Sequence, residues 1–406
     1  MKNVSKVIAL IMVICMTLVI VACGNQGGGA AGGGATGGSG AAEAPAAAGS
    51  ITDPAEVARI IAEVQANAGW ADYAVATGIL DHVTEIIQLD RDFTFRLGGP
   101  QGPGTDAVFL KHVMQVWIEA STAGRVTVEV YPLSQLGTHA QALQGVLSGD
   151  ITGWVSPLEQ LAPFAPGVGV TAIPFLFEYG TYQAVRIFQQ DTTMDEYLNS
   201  IGFHPVVWAN INSSNIISTR RFNTLSDFSG ARIWSAPVEM QQMMFSAFGA
   251  VPVVFDSSEI ALGMQTGTID AASAGISFFD AFRVQESANY MHRFAMVPSP
   301  FTMTWSVEFL ESLPADLRDL IIKGGPIVSE LHAVFNHNLL QTTADSILAH
   351  LERVDPSPEL IAEAKAATAH IADHYAAMGE EYARMLETFK ALIEADLAAG
   401  GGGGIW

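Results

Sequence analysis

The stretch 93-FTFRLGGPQGPGTDA-107 decides the fold. Phe93, Phe95 and Leu97 alternate as a strand, Gly98 to Gly104 make a loop, and Thr105 or Asp106 can cap a helix running to about Thr122. Val126, Val128 and Val130 then give a second strand, followed by a helix around Gln141 to Ser148. Strand, helix, strand, helix is the order of a parallel sheet covered by helices, so the chain reads as α/β. In such sheets ligands lie beyond the carboxyl ends of the strands, which puts the glycine-rich loop at the mouth of a cleft.

Gly102-Pro-Gly-Thr-Asp-Ala107 also matches the G-x-G-x-x-A pattern of dinucleotide sites. Such a site wants an acid at the end of the second strand. Glu129 lies within that strand and Tyr131-Pro132 occupies its end, so the loop reads as a ligand-cleft turn instead.

Upstream, Lys2 and Lys6 precede the uncharged run Val7 to Ala22, which is shorter than a membrane span and reads as a signal peptide over 1–22. Ile20-Val-Ala-Cys23-Gly24 is a lipobox, and Cys23 is the expected lipidation site, the lipid serving as membrane anchor. Cys15 leaves with the leader, so no internal disulfide can form. Residues 23–50 are a glycine- and alanine-rich stalk. Asp53-Pro-Ala-Glu56 is a helix start, and 51–91 reads as an added N-terminal helical segment that packs on the main body. About 350 residues remain after the stalk, which suits two domains. The net charge is −22, and loss of Lys2 and Lys6 lowers it to −24. That argues against nucleic acid or an anionic lipid surface as partner.

Catalytic signatures are weak. His370 and His374 lie four apart on a helix without a third ligand nearby, and Ala272-Ser-Ala-Gly275 lacks the first glycine of a nucleophile elbow. The chain reads as a non-enzyme without cofactor or metal. Pro358 to Ala399 reads as helical, with 400–406 a flexible tail.

The second informative stretch is 230-GARIWSAP-237, a short strand entered from a turn of Ser226, Asp227, Ser229 and Gly230 and stopped by Pro237. Its Trp234 must face either a core or a pocket.

Several stretches, in order, resemble the extracytoplasmic solute-binding proteins of TRAP (tripartite ATP-independent periplasmic) transporters. They are Gly124-Arg-Val-Thr-Val-Glu-Val-Tyr-Pro-Leu-Ser-Gln-Leu-Gly137, Ile173-Pro-Phe-Leu-Phe177, Leu225-Ser-Asp-Phe-Ser-Gly-Ala-Arg-Ile233, Gly249-Ala-Val-Pro252, Gln265-Thr-Gly-Thr-Ile-Asp270 and Leu313-Pro-Ala-Asp316. The resemblance covers roughly Phe93 to Lys390. It implies a two-lobed, periplasmic-binding-protein-like clamshell with hinge strands and a long C-terminal helix. Lobe I would be 92–209 plus 296–340, and lobe II 210–295 plus 341–399. The lobes would close on a small solute and deliver it to TRAP membrane permease subunits.

Carried over residue by residue, the resemblance implies a ligand-binding set of Pro100, Trp154, Ser156, Trp208, Asn212, Ser214, Trp234, Ala236, Ser257, Ala274 and Phe278. Trp234 falls where the family commonly has a carboxylate-pairing arginine, Ser214 is nearest to a second arginine, and Ala274 replaces an asparagine. Arg232 falls where the family usually has a surface lysine. A carboxylate left unpaired in a closed cleft is costly. Trp234 offers a flat apolar face and one N–H donor, and Trp154, Trp208, Phe278 and Trp305 could join it to stack an apolar, aromatic or quaternary ammonium solute. The alternatives are an organic-acid binder using Arg96, Arg220 or Arg232, or a surface receptor or enzyme unrelated to transport.

Overall fold

The structure is a computed structural model that describes residues 49–102, 105–294 and 296–401. The leader, Cys23, the stalk up to residue 48, Pro103, Gly104, Ala295 and the end of the tail lie outside the described residues, and the last stalk position, Ser50, already belongs to a strand. Thirteen strands occur among those described: β1 (Ser50–Ile51), β2 (Ile86–Ile87), β3 (Phe93–Gly98), β4 (Val126–Tyr131), β5 (Gly153–Pro157), β6 (Phe203–Ser213), β7 (Asn215–Ser218), β8 (Arg232–Trp234), β9 (Val251–Val253), β10 (Ala271–Ala274), β11 (Tyr290–His292), β12 (Pro298–Ser306) and β13 (Glu352–Val354). β1 and β2 pair as a small antiparallel ribbon. The rest form two sheets, ordered β4-β3-β5-β12-β6 and β13-β11-β7-β10-β8-β9.

The alternation at Phe93, Phe95 and Leu97 does what it predicts. β3 pairs in parallel with β4 and β5, and the helix Asp106–Ser121 returns the chain between β3 and β4. The next helix begins at His139, two residues before the expected Gln141. Thr138 and Gln141 form a reciprocal capping box that fixes the earlier start. At the N-terminus Asp53 accepts a hydrogen bond from the Glu56 amide and Pro54 occupies the first turn of the helix Pro54–Ala68. This segment is tied to the first sheet's layer by the Trp70 indole, which donates to Glu119 Oε2 at 2.6 Å.

The chain crosses between the sheets at two adjacent places. β6 ends at Ser213 and β7 begins at Asn215, while β11 ends at His292 and β12 begins at Pro298. Ser213 pairs with Pro298, and the Ser214 amide donates to Val297 O at 3.1 Å, so the two crossings run side by side. Proline is tolerated in the interior strand β12 because Pro298 is its first residue and the register shifts between Pro298 and Pro300. The helix Ala315–Leu348 packs on β6 and on Asp106–Ser121, and Gly325 lets its backbone approach Val206 O, where a Cβ would sit at 1.8 Å. At the end of the chain the helix Glu380–Ala398 packs on Gly180–Gln190, fastened by Arg186 and Asp396.

Candidate functional site

β8 enters from the turn Leu225–Phe228 with Gly230 at φ +67°, a left-handed conformation that favours glycine. Parallel pairing with β9 holds its three residues and pairing with β10 the last two; Arg232 is exposed, while Ile233 and Trp234 are buried. Trp234 reaches a cavity at the end of the strand. Its indole stacks on Phe278, ring centres 5.7 Å apart at 21°. Its N–H donates to Phe255 O at 2.9 Å, so the donor that the sequence leaves open for a solute is used inside the protein.

Ser273 and Ala274 of β10, with Ala236 just after β8 and Gly275 just after β10, also line this cavity; opposite lie Pro157 at the end of β5, Glu159 and Gln160 in the turn after it, and Ser299 and Phe301 on β12. The cavity between these walls has a volume of about 10 Å³. That is room for about one water. Ser299 Oγ donates to Glu159 Oε1 at 2.7 Å, and Ser299's own amide donates to Thr181 Oγ1 at 2.8 Å. Glu159 keeps some exposed surface, yet its Oε2 is closed off from solvent and has no hydrogen-bond partner. Burial pushes its carboxyl up to about 7, against the opposing pull of the Ser299 bond. Glu159 is the charged-type side chain among the lining residues; none of them is Lys or Arg.

Of the residues expected from sequence, Trp234, Ala236, Ala274 and Phe278 line this cavity together. Pro100, Ser156, Ser214 and Ser257 are buried but do not line it. The Asn212 side chain lies outside the described residues. Trp154 is packed in the core, its N–H on His139 Nδ1 at 3.2 Å, and Trp208 donates to Asp195 at 2.9 Å beside Phe188. Trp305 meets Phe95 and Phe309 in the core of the first sheet. Those three tryptophans are held by hydrophobic packing rather than gathered around Trp234. Arg232 forks onto Asp270 at 3.0 and 3.1 Å, Arg220 donates to Asp227 O, and Arg96 is exposed on β3. His374 is exposed and bonded to Glu239.

Two features escape the sequence reading. Glu159 sits in a short 3-10 turn, Leu158–Leu161, where periodicity says nothing. Lys111 is fully buried with no partner for Nζ, and burial lowers its amine to about 7. Its Nζ fills the space where a side chain at Gly99 would lie, 2.7 Å from that Cβ position, and the neighbouring Gln101 amide is likewise buried and unpartnered. The signal available was a lysine inside Ala107-Val-Phe-Leu-Lys-His-Val-Met114, a run otherwise apolar on nearly every face.

Comparison with known proteins agrees with this architecture. The fold superposes on a TRAP periplasmic solute-binding protein from Sulfitobacter sp. NAS-14.1 with bound β-D-galacturonate, with a TM-score of 0.70 and 14% identity over 73% of this chain and 99% of that one. A TRAP periplasmic solute-binding protein from Desulfovibrio salexigens with bound orotic acid gives 0.68 and 20%, covering 74% and 99%. These establish the two-lobed fold. In sequence, the C4-dicarboxylate-binding periplasmic protein of Rhodobacter capsulatus is 26% identical over 210 residues, 49% of this chain and 61% of that protein. The chain spans between 37% and 65% of the length of the curated relatives it matches. The family model for bacterial extracellular solute-binding protein, family 7, matches residues 106–378, well over half of the sequence, and the chain belongs to that family.

Proposed function

We propose that this protein is the extracytoplasmic receptor of a TRAP-type secondary transporter, tethered by lipid on Cys23. It captures a small solute with an apolar or aromatic body, rather than a simple carboxylate, and delivers it to the membrane permease. The observation that carries the reading is the cavity wall: the face of Trp234 stacked on Phe278, with no Lys or Arg among the lining residues. A carboxylate there would lose water without gaining a countercharge, a cost of several kcal/mol. Because the cavity admits about one water, a solute enters after the lobes part about the paired crossings, and hinge closure gives the permease a state to read. No helix among the described residues is long and apolar enough to cross a membrane. The tether is inferred from the lipobox.

Lys111 favours a second reading, in which an acid reaches the buried amine and the Gln101 amide at the end of β3. Thermal-shift screening against aromatic solutes and dicarboxylates separates the two, since a ligand at about 100 times its Kd stabilises by about 2.7 kcal/mol. Under the first reading aromatic solutes shift the parent and not Trp234→Ala. A dicarboxylate that shifts the parent and Trp234→Ala equally, but not Lys111→Met, overturns it. For the tether, Cys23→Ser should move the full-length chain from the detergent phase to the aqueous phase; unchanged partitioning refutes lipidation.

A further inference from the structure

We propose that Glu159, held by Ser299, is the polar anchor of the cavity and selects solutes that carry a protonated amine beside their aromatic part. The inference rests on the aromatic reading of the cavity and names the class of solute within it.

Glu159 has two oxygens in different circumstances. Oε1 accepts the Ser299 hydroxyl at 2.7 Å, whereas Oε2 is closed off from solvent without a hydrogen-bond partner, the residue's own amide adding only a smaller pull on the carboxyl. Ionised, that oxygen requires a donor; protonated, its hydroxyl requires an acceptor. A buried carboxyl left half-satisfied is expensive, and a packing role alone would be served better by an apolar residue of the same size. An ammonium meets the first need and, by its charge, keeps the carboxyl ionised so that the second does not arise. It donates to Oε2, neutralises the charge, and makes a charge-assisted bond in a site from which water is nearly excluded.

The rest of the wall agrees. β8 supplies the ring of Trp234 and the helix Ile276–Ala281 after β10 that of Phe278, and an aromatic face attracts a cation as well as an apolar ring. Ser273, also on that wall, is already an acceptor for Gln241 Nε2 at 3.4 Å, and its hydroxyl hydrogen can serve a second acceptor. From the first sheet's side come Pro157, Gln160, Ser299 and Phe301, none of which titrates. Glu159 is therefore the titratable group of the cavity among the described residues. Burial raises its carboxyl to about 7, and an ammonium beside it would draw it back to the ionised form. Binding near neutral pH should then release a proton.

The test is calorimetry on the full chain with three probes of one shape: 2-phenylethylammonium, uncharged 2-phenylethanol and the anion phenylacetate. The parent should bind the ammonium at least about tenfold more tightly than the alcohol, the usual yield of a hydrogen bond to a charged group. Glu159→Gln should bring the ammonium down to the alcohol's affinity and leave the alcohol unchanged. Ser299→Ala should weaken the ammonium several-fold while keeping the same thermal midpoint, which separates loss of the anchor from loss of the fold. Repeating the titration in buffers of different ionisation enthalpy should show proton release with the parent and none with Glu159→Gln.

If the alcohol binds as well as the ammonium, is lost in Trp234→Ala and is indifferent to Glu159→Gln, the amine proposal falls and the aromatic reading stands. If phenylacetate is the tightest probe and Trp234→Ala does not weaken it, both fall. Failure of the ammonium to bind at millimolar concentration also overturns the proposal.

Discussion

The first sheet's interior and the cavity between the two sheets each bury a tryptophan and an ionisable side chain, and the two pairs behave differently. Trp154 is fully enclosed with its N–H on His139, and Lys111 sits in the same lobe with no partner. Trp234 is 3% exposed with its N–H on Phe255 O, and Glu159 is braced by Ser299. Neither burial nor indole satisfaction separates the two tryptophans. What separates them is position: Trp234 ends its strand facing the gap between sheets, while Trp154 is inside β5 with side chains packed on every side. Residue type therefore says little about a pocket; strand end and facing wall say more.

The comparison predicts that Trp154→Ala is mainly a loss of stability. Removing so large a side chain from a closed core should cost about 3 to 5 kcal/mol, read as a lower urea midpoint, with ligand affinity of the remaining folded protein little changed. A variant with parent-like stability and lost binding would move Trp154 into the site.

Lys111→Met sharpens the contrast through pH. The folded protein holds this amine near 7 against an ordinary 10.5, so between those values the unfolded chain binds more protons and stability rises with pH. Up to about 5 kcal/mol should accrue in the parent from pH 7 to about 10.5, and Lys111→Met should be flat there. Glu159 acts in the opposite sense. Its carboxyl is raised from 4.5 to about 7, so its contribution is complete below 4.5 and is lost as pH rises through 7. Parallel parent and Lys111→Met curves above pH 7 would mean the amine is solvated.

Trp234→Ala should cost roughly 2 kcal/mol or more in solute affinity, as a central aromatic anchor does, with a smaller fall in stability than Trp154→Ala. Equal stability losses for the two would erase the distinction between wall and core. The smallest effect belongs to Arg232→Ala: its guanidinium is half exposed and engaged with Asp270, so affinity should not change measurably by calorimetry. A clear loss of binding would bring Arg232 into the site and restore the acid reading.

The fold was largely readable because its first unit carries clean local signals. Alternating Phe93, Phe95 and Leu97, valines at 126, 128 and 130, and the Asp53-Pro54 start specify their elements within short windows. The site was only half readable. Trp234, Ala236, Ala274 and Phe278 follow from strand position, but the other wall is set by how β12 and the turn after β5 meet, which depends on pairing between residues about 140 apart. Trp154 and Trp208 lie away from this cavity for a related reason, since an aromatic residue in a strand has two faces to choose from and the sheet's far neighbours make the choice.

Ser299 stands between Pro298 and Pro300 at the start of a strand beside the crossings. Each ring fixes one backbone torsion, and the Ser299 amide is already committed to Thr181, so the serine has little conformational freedom left to lose. The acid it steadies is set before any solute arrives. Arrival should thus depend on how often the lobes swing apart, a property common to all solutes, and discrimination among them should appear chiefly in how long each stays.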